Sequence, residues 1–370
     1  MGLIRVALAL AVLFGHLPLV HTPMMNAALA VQAFFIVSGF YMSLVLSGKY
    51  ASARLFYSNR LLRLMPSYFV MCALYAVALF AFNSSATTTT DIFRTVFSNP
   101  LSAVIMALEN VAILGQELMF WFTIGPHGEL VPNATGALPN ETTTVAWQAL
   151  LVPQSWSLSM ELMFYAFAPW FARLSWRWLA LIALASAAFR LAGYALPVSY
   201  GIWAGRLFPS ALFLFLLGTL AQRLSPLAAR LPKAIGWIVG VALLALMIGL
   251  QPLVDALHIP SDASRWITYP VIALAIPFVF NVSKDLGWDR WIGDLSYPLY
   301  LVHLLVIGAV LTFIPNAPYA AAVAIGGSLA LSALALILID RPIDRWRQKR
   351  AAKSGVGQPK LPPEAAVAPL

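Results

Sequence analysis

Three ionisable side chains stand in stretches that are otherwise almost free of charge. They are His16 in RVALALAVLFGH (5–16), Glu161 in SWSLSMELMFY (155–165) and His303 in SYPLYLVHLLV (296–306). A neutral imidazole is well matched to taking a proton from an alcohol near neutral pH, and a carboxylate can orient such a ring or stabilise its imidazolium. The first stretch also begins with a cation. Eleven helical steps of about 100° return to within about 20°, so Arg5 and His16 share a face and lie about 16 Å apart along the axis. His21 falls about 140° further around the same helix.

A second chemistry lies in SNRLLRLMPSYF (58–69), where Arg60 and Arg63 are spaced to share one helical face just before an apolar run. Guanidinium forks fit phosphate oxygens, although a cationic membrane anchor is the plainer reading of two arginines in isolation. With Arg5 at the same membrane surface, the three would dock a phosphorylated carrier whose reactive end reaches His16. Around these groups, FFIVSGF (34–40) sets Ser38 beside Gly39, whose bare backbone permits close helix approach. Tyr297 and Tyr300 lie near enough to His303 to satisfy it. Trp156 and Phe122 read as part of an interfacial aromatic belt. There is no GxSxG, HExxH, CxxC, GxGxxG or P-loop. Neither metal ligation nor a soluble-enzyme motif is expected. The single cysteine, Cys72, reads as a buried, inert thiol.

The elements that must position these groups are membrane helices. The chain has 370 residues, of which 61% are hydrophobic and 10% charged, with a mean hydropathy of +0.82. Soluble domains carry far more charge. The net charge of +9 therefore reports membrane orientation, and no nucleic-acid partner is expected. Apolar runs predict an all-α, polytopic membrane protein with about ten transmembrane helices: 3–21, 27–47, 64–83, 155–172, 178–196, 206–222, 235–250, 266–281, 292–313 and 318–339. With both termini cytoplasmic, only Arg94, Arg190, Arg206 and Arg265 of the 23 Lys and Arg fall on or near the outer side. Ionisable groups within spans are costly, which moves His16 and Glu161 away from a structural role.

Residues 101–124 are apolar but carry Glu109, Gln116 and Glu117. They read as a re-entrant or interfacial segment within an outer loop, 84–154. A signal-peptidase-like Ala28-Leu29-Ala30 would discard Arg5 and His16 if cleaved, so the first span is read as retained. SSATTTT (84–90) and 125–140 read as loops. The organisation expected is one transmembrane domain, 1–342, followed by a cytoplasmic, disordered tail, 343–370.

Together these stretches resemble the membrane acyltransferase 3 family of integral membrane O-acyltransferases. RVALALAVLFGH is similar to the family's basic-x10-His pattern, and RLLR (60–63) to its RxxR pattern. FFIVSGF, WSLSMELMFY (156–165) and LSYPLYLVH (295–303) follow in the family's order. The resemblance implies ten spans and acyl-CoA, acetyl-CoA by default, as a cytoplasmic donor with no bound cofactor. It implies a carbohydrate or glycoside hydroxyl as the acceptor at the outer face of a bacterial inner membrane. By position, His16 is the essential histidine, Glu161 the glutamate of the fourth span, and Arg5, Arg60 and Arg63 the donor-binding group. Many relatives have two consecutive acidic residues where this chain has Glu161-Leu162. His16 is expected to act either as general base or as a nucleophile that carries the acyl group. The rival reading is a secondary transporter or flippase using midplane His and Glu for proton coupling, although no pair of similar halves is visible.

Overall fold

The computed structural model describes residues 1–47, 53–136 and 143–353. Lys49, among the cations used for orientation, lies outside the described residues. The chain begins with α1 (Gly2–His16), α2 (Ala27–Ser47) and α3 (Ala53–Phe82). The segment that follows contains α4 (Thr90–Ser98), α5 (Pro100–Ala112), a 3-10 turn at Gln116–Trp121 and a hairpin of β1 (Phe122–Ile124) with β2 (Leu130–Pro132). Next come α6 (Trp156–Phe171), α7 (Trp176–Ala192), α8 (Tyr200–Arg206), α9 (Phe208–Gln222) and α10 (Ser225–Arg230). The last part holds α11 (Lys233–Ala256), α12 (Ser261–Ser283), α13 (Gly287–Asp294), α14 (Ser296–Phe313), α15 (Ala320–Ala335) and α16 (Arg341–Lys353). A π-helical turn at Leu336–Asp340 joins α15 to α16.

Seven helices, not ten, are long and apolar enough to cross a membrane among the described residues: Ala27–Ser47, Ala53–Phe82, Phe208–Arg230, Lys233–Ala256, Ser261–Ser283, Gly287–Phe313 and Ala320–Arg350. The other three expected spans fold as shorter helices, of 15 residues in α1, 16 in α6 and 17 in α7. Their ends have local causes. Pro18 forces Leu17 into an extended conformation, φ −94° and ψ 99°, so α1 stops at His16. Residues 153–155 form a 3-10 turn, so α6 starts only at Trp156. Turn sequence after Gly193 ends α7.

Residues 137–140 of the loop expected at 125–140 lie outside the described residues, and the described parts of 84–154 are more ordered than their Thr-, Gly- and Asn-rich sequence implies. Val96, Met106, Met119, Ala146, Ala149 and Leu150 form a small core of their own under the hairpin. One face of α5 leaves Leu101, Val104, Leu108 and Val111 exposed, at the i, i+3, i+7 spacing of an apolar stripe. The tail expected from 343 begins as α16, whose Asp344 reaches back to Arg63 of α3. Residues 354–370 lie outside the described residues.

Helix α2 is the hub of the bundle, buried along nearly its whole length. Its crossing with α9 depends on two reciprocal glycines. A Cβ on Gly39 would lie 1.9 Å from the Phe215 carbonyl oxygen, and one on Gly218 1.9 Å from that of Ile36. Here the close approach expected of FFIVSGF is realised, with dispersion between the two backbones as its gain. At the start of α1, Asp289 of α13 accepts hydrogen bonds from the backbone N–H of Gly2 and of Leu3, each at 2.8 Å. The carboxylate thus satisfies two of the helix's unpaired donors, in register with its positive end.

Candidate active site

Helices α1 and α14 lie side by side, which brings the two predicted histidines together. The ring centroids of His16 and His303 are 5.2 Å apart, tilted by 49°. Each ring is held by its own helix: His16 Nδ1 lies 2.8 Å from the Val12 carbonyl, and His303 Nδ1 2.8 Å from that of Tyr300. A carbonyl oxygen only accepts, so in the neutral ring Nδ1 carries the proton and Nε2 keeps its lone pair. His303 is buried, whereas His16 is exposed in the wall of a cavity of about 340 Å³. Tyr300 and Trp156 line that cavity too. The Tyr300 hydroxyl donates to the Gln154 carbonyl at 2.9 Å and lies 2.6 Å from the Ser157 hydroxyl. It satisfies these groups rather than the His303 ring.

Glu161 sits elsewhere. It is fully buried in α6, where it accepts from the Ser38 hydroxyl at 2.6 Å and from the Tyr165 hydroxyl one turn along. The ring of Tyr165 in turn lies 6.0 Å from the Arg60 guanidinium. Ser38, Glu161, Tyr165 and Arg60 therefore form one interior group, and the orienting contact on His16 comes from Val12, not from a carboxylate.

The predicted cations divide in the same way. Arg5 is buried and donates from Nη2 to the Ser296 hydroxyl at 2.6 Å. Arg63, also buried, pairs with Asp344 at 2.9 Å, and Asp344 pairs with Arg347 at 2.6 Å. Asp340, in the π-helical turn, accepts from Ser67 of α3. Arg63 is thus already paired with a carboxylate from the last helix.

The cavity holds residues the motifs did not single out. Arg206, at the end of α8, has its guanidinium carbon 3.8 Å from the centroid of Trp156 and 4.3 Å from that of Phe120. Deeper in the wall, Arg190 donates to the Ala204 carbonyl at 2.6 Å and to the Tyr269 hydroxyl at 2.9 Å, with Gln32 as a further partner. A signal for this environment does exist in the chain: no Asp or Glu occurs between Glu161 and Asp255. Behind the wall, outside the long spans, Glu109 and Glu117 approach each other. Burial first and the Glu117 charge second push the Glu109 carboxyl up to about 7.

No curated protein and no solved structure matches the chain. A family match does, and it covers residues 1–339, which include every helix that frames the cavity. With its polytopic helical architecture, this chain belongs to the Acyl_transf_3 family, described as an acyltransferase domain, and is a membrane acyltransferase.

Proposed function

We propose that the protein moves an acyl group, acetyl by default, from cytoplasmic acyl-CoA to a hydroxyl of a sugar or glycan at the outer face of a bacterial inner membrane. The observation that carries this reading is the exposed His16 ring in the cavity wall, its Nδ1 held by the Val12 carbonyl and its Nε2 left basic. In the transfer step the acceptor oxygen attacks the thioester carbonyl while Nε2 takes the hydroxyl proton. The C–S bond breaks, and the CoA thiolate recovers that proton from the imidazolium. In a two-step alternative the same nitrogen attacks the thioester carbonyl, the C–S bond breaks and CoA thiolate leaves; the acceptor hydroxyl then takes the acyl group from the ring, and its proton goes to the thiolate. Glu161, with Ser38 and Tyr165, stands behind this site as an interior polar group rather than as the base's partner. Arg5 and Arg60 suit the donor's phosphates, joined by Arg63 once Asp344 releases it.

Apart from Phe120 and Tyr300 of α14, the cavity-lining segments are the end of α1, the starts of α2, α6 and α12, and the α7–α9 connection. Every one of these is an outer end under the positive-inside rule, with both termini cytoplasmic. Helices of 15–17 residues rise about 22–26 Å, which with extended flanks approaches the hydrocarbon thickness of about 30 Å and supports ten crossings. The transmembrane domain is 1–342, and α5 with its exposed apolar stripe lies in the interface as a re-entrant segment.

Purified protein in detergent micelles should release CoA thiol slowly from acetyl-CoA, and faster with an acceptor present. His16→Ala should lose both activities while keeping its elution profile. Equal release by His16→Ala and wild type would overturn the assignment and return His16 to the cavity wall as a structural residue.

A further inference from the structure

Arg206 is the part of the cavity that acyl transfer to a neutral sugar leaves without a purpose. The rings of Phe120 and Trp156 stand nearly perpendicular, at 84° with centroids 6.1 Å apart. The Arg206 guanidinium occupies the corner between them. Ring faces hold a guanidinium by cation–π attraction but take up none of its N–H donors. Among the described residues no hydrogen bond or ion pair engages Arg206, and no Asp or Glu lines the cavity. The other two arginines there are already engaged: Arg190 by Ala204 and Tyr269, and Arg265 by Asp262 at 2.9 Å. Arg206 thus presents unfilled donors to a cavity of about 340 Å³, within the size range of small-ligand sites. A cation removed from bulk water without a counter-ion is costly, and that cost is recovered when an anion enters.

We infer that the acceptor is an anionic saccharide, whose carboxylate or phosphate oxygens pair with the Arg206 guanidinium while a neighbouring hydroxyl faces His16. This rests on the acyltransferase reading and adds the acceptor's charge to it. The donor does not supply the anion, since its phosphates belong with Arg5 and Arg60 at the far end of α1 and α3, and the pantetheine arm that extends from them is neutral. A planar guanidinium suits both carboxylate and phosphate, because either presents two oxygens at the spacing of the fork.

The test compares acceptors that differ only at the sixth carbon: methyl β-glucuronide, methyl β-glucoside 6-phosphate and methyl β-glucoside. Binding is read by ligand-observed NMR on the purified full-length protein, and transfer by mass spectrometry with acetyl-CoA. Wild type should favour at least one charged sugar over the glucoside by roughly 10- to 100-fold, the range of a charge-assisted hydrogen bond. Which charged sugar wins separates carboxylate from phosphate. Arg206→Gln should erase the preference and Arg206→Lys should keep part of it, while Arg94→Gln, on the exposed outer loop, should keep all of it. Should Arg206→Gln fail to fold, the wild-type preference and the Lys variant still decide. Equal binding of charged and neutral sugars, or no binding of either charged sugar, overturns the inference. So does a preference that survives Arg206→Gln, or a variant whose only change is a raised KM for acetyl-CoA. Glu141 lies outside the described residues, so Glu141→Gln is included. A charge preference present in that variant and absent from wild type would make Glu141 the partner of Arg206 and overturn the inference as well. Arg206-dependent binding of a charged sugar that is never acylated would instead leave the inference standing and remove the acyl-transfer reading.

Discussion

At one end of the bundle Arg63 and Arg347 share a carboxylate, and at the other Arg190 and Arg206 meet aromatic rings and carbonyls. Arg63 pairs with Asp344, and Asp344 with Arg347. At the cavity end, Arg206 lies in the corner of Phe120 and Trp156, and Arg190 is held by Ala204, Tyr269 and three nearby rings. Both ends are basic in composition, and the cavity end has an ion pair of its own in Arg265 and Asp262, yet among the described residues Arg190 and Arg206 meet no carboxylate. A ligand at Arg63 must displace Asp344, whereas a ligand at Arg206 displaces no carboxylate of the described residues. Counting cations along a sequence does not separate these cases; counting their partners does.

The contrast is open to attack at several points. The largest effect is expected at the cavity end. His16→Gln keeps an amide of similar reach but takes up no proton near neutral pH, so acyl transfer should fall about 10²- to 10⁴-fold. His21→Ala, which lies beyond the end of α1 rather than on another face of it, should retain most activity. Comparable turnover in His16→Gln would show the cavity end to be a passive vestibule.

Next comes the internal balance of the other end. Asp344→Asn removes the carboxylate that the buried Arg63 and Arg347 share, and removing one partner of a buried pair typically costs about 3–5 kcal/mol. Thermal unfolding in detergent should show this loss, and Arg63→Gln added to Asp344→Asn should restore much of it. If Asp344→Asn kept wild-type stability and only lowered KM for acyl-CoA, Asp344 would be a gate on a ligand site, and the two ends would be alike.

A smaller effect concerns the carboxyls behind the cavity wall. The Glu109 carboxyl, raised to about 7 from its usual 4.5, binds its proton more tightly folded than unfolded. Its stabilising contribution is therefore full below about pH 4.5 and is lost as pH rises through about 7. Glu109→Gln should exceed wild type in melting temperature at pH 8 and lose that margin by pH 5. A constant margin across this window would show that Glu109 does not titrate there. The smallest effect belongs to the exposed pair Arg94–Asp91, at 3.5 Å with both side chains largely in solvent. Arg94→Gln should change stability by no more than about 0.5 kcal/mol. A larger loss would mean that charge on the outer loop is also balanced internally.

Much of this was legible from residue types and spacing. The membrane class followed from composition, the single helix that carries Arg5 and His16 from its apolar run, and a close helix approach at Gly39, though not that α9 is the partner, from the bare glycine. Helix length was less legible, because Pro18 cut α1 short within an apolar run that reads on to His21. The partner of Glu161 was not legible at all. Spacing orders residues along one helix, whereas Ser38 comes from α2 and the choice between Ser38 and His16 is made by packing across helices. The corner that holds Arg206 needs Phe120 from a loop, Trp156 from α6 and the end of α8, three segments that no local pattern joins. Its only trace in the chain was negative, the absence of any acid from 162 to 254.

The Val12 carbonyl that holds His16 has a genetic consequence. Where an aspartate orients a histidine, one codon change removes the orienting group, and drift at that codon is visible to selection. An orienting group made of backbone has no codon of its own: any residue at position 12 that keeps the helix supplies the same oxygen. A saturation scan of this protein should therefore show His16 intolerant and position 12 tolerant of every residue that keeps the helix. Leu162 beside Glu161 therefore has no bearing on the group that orients the ring.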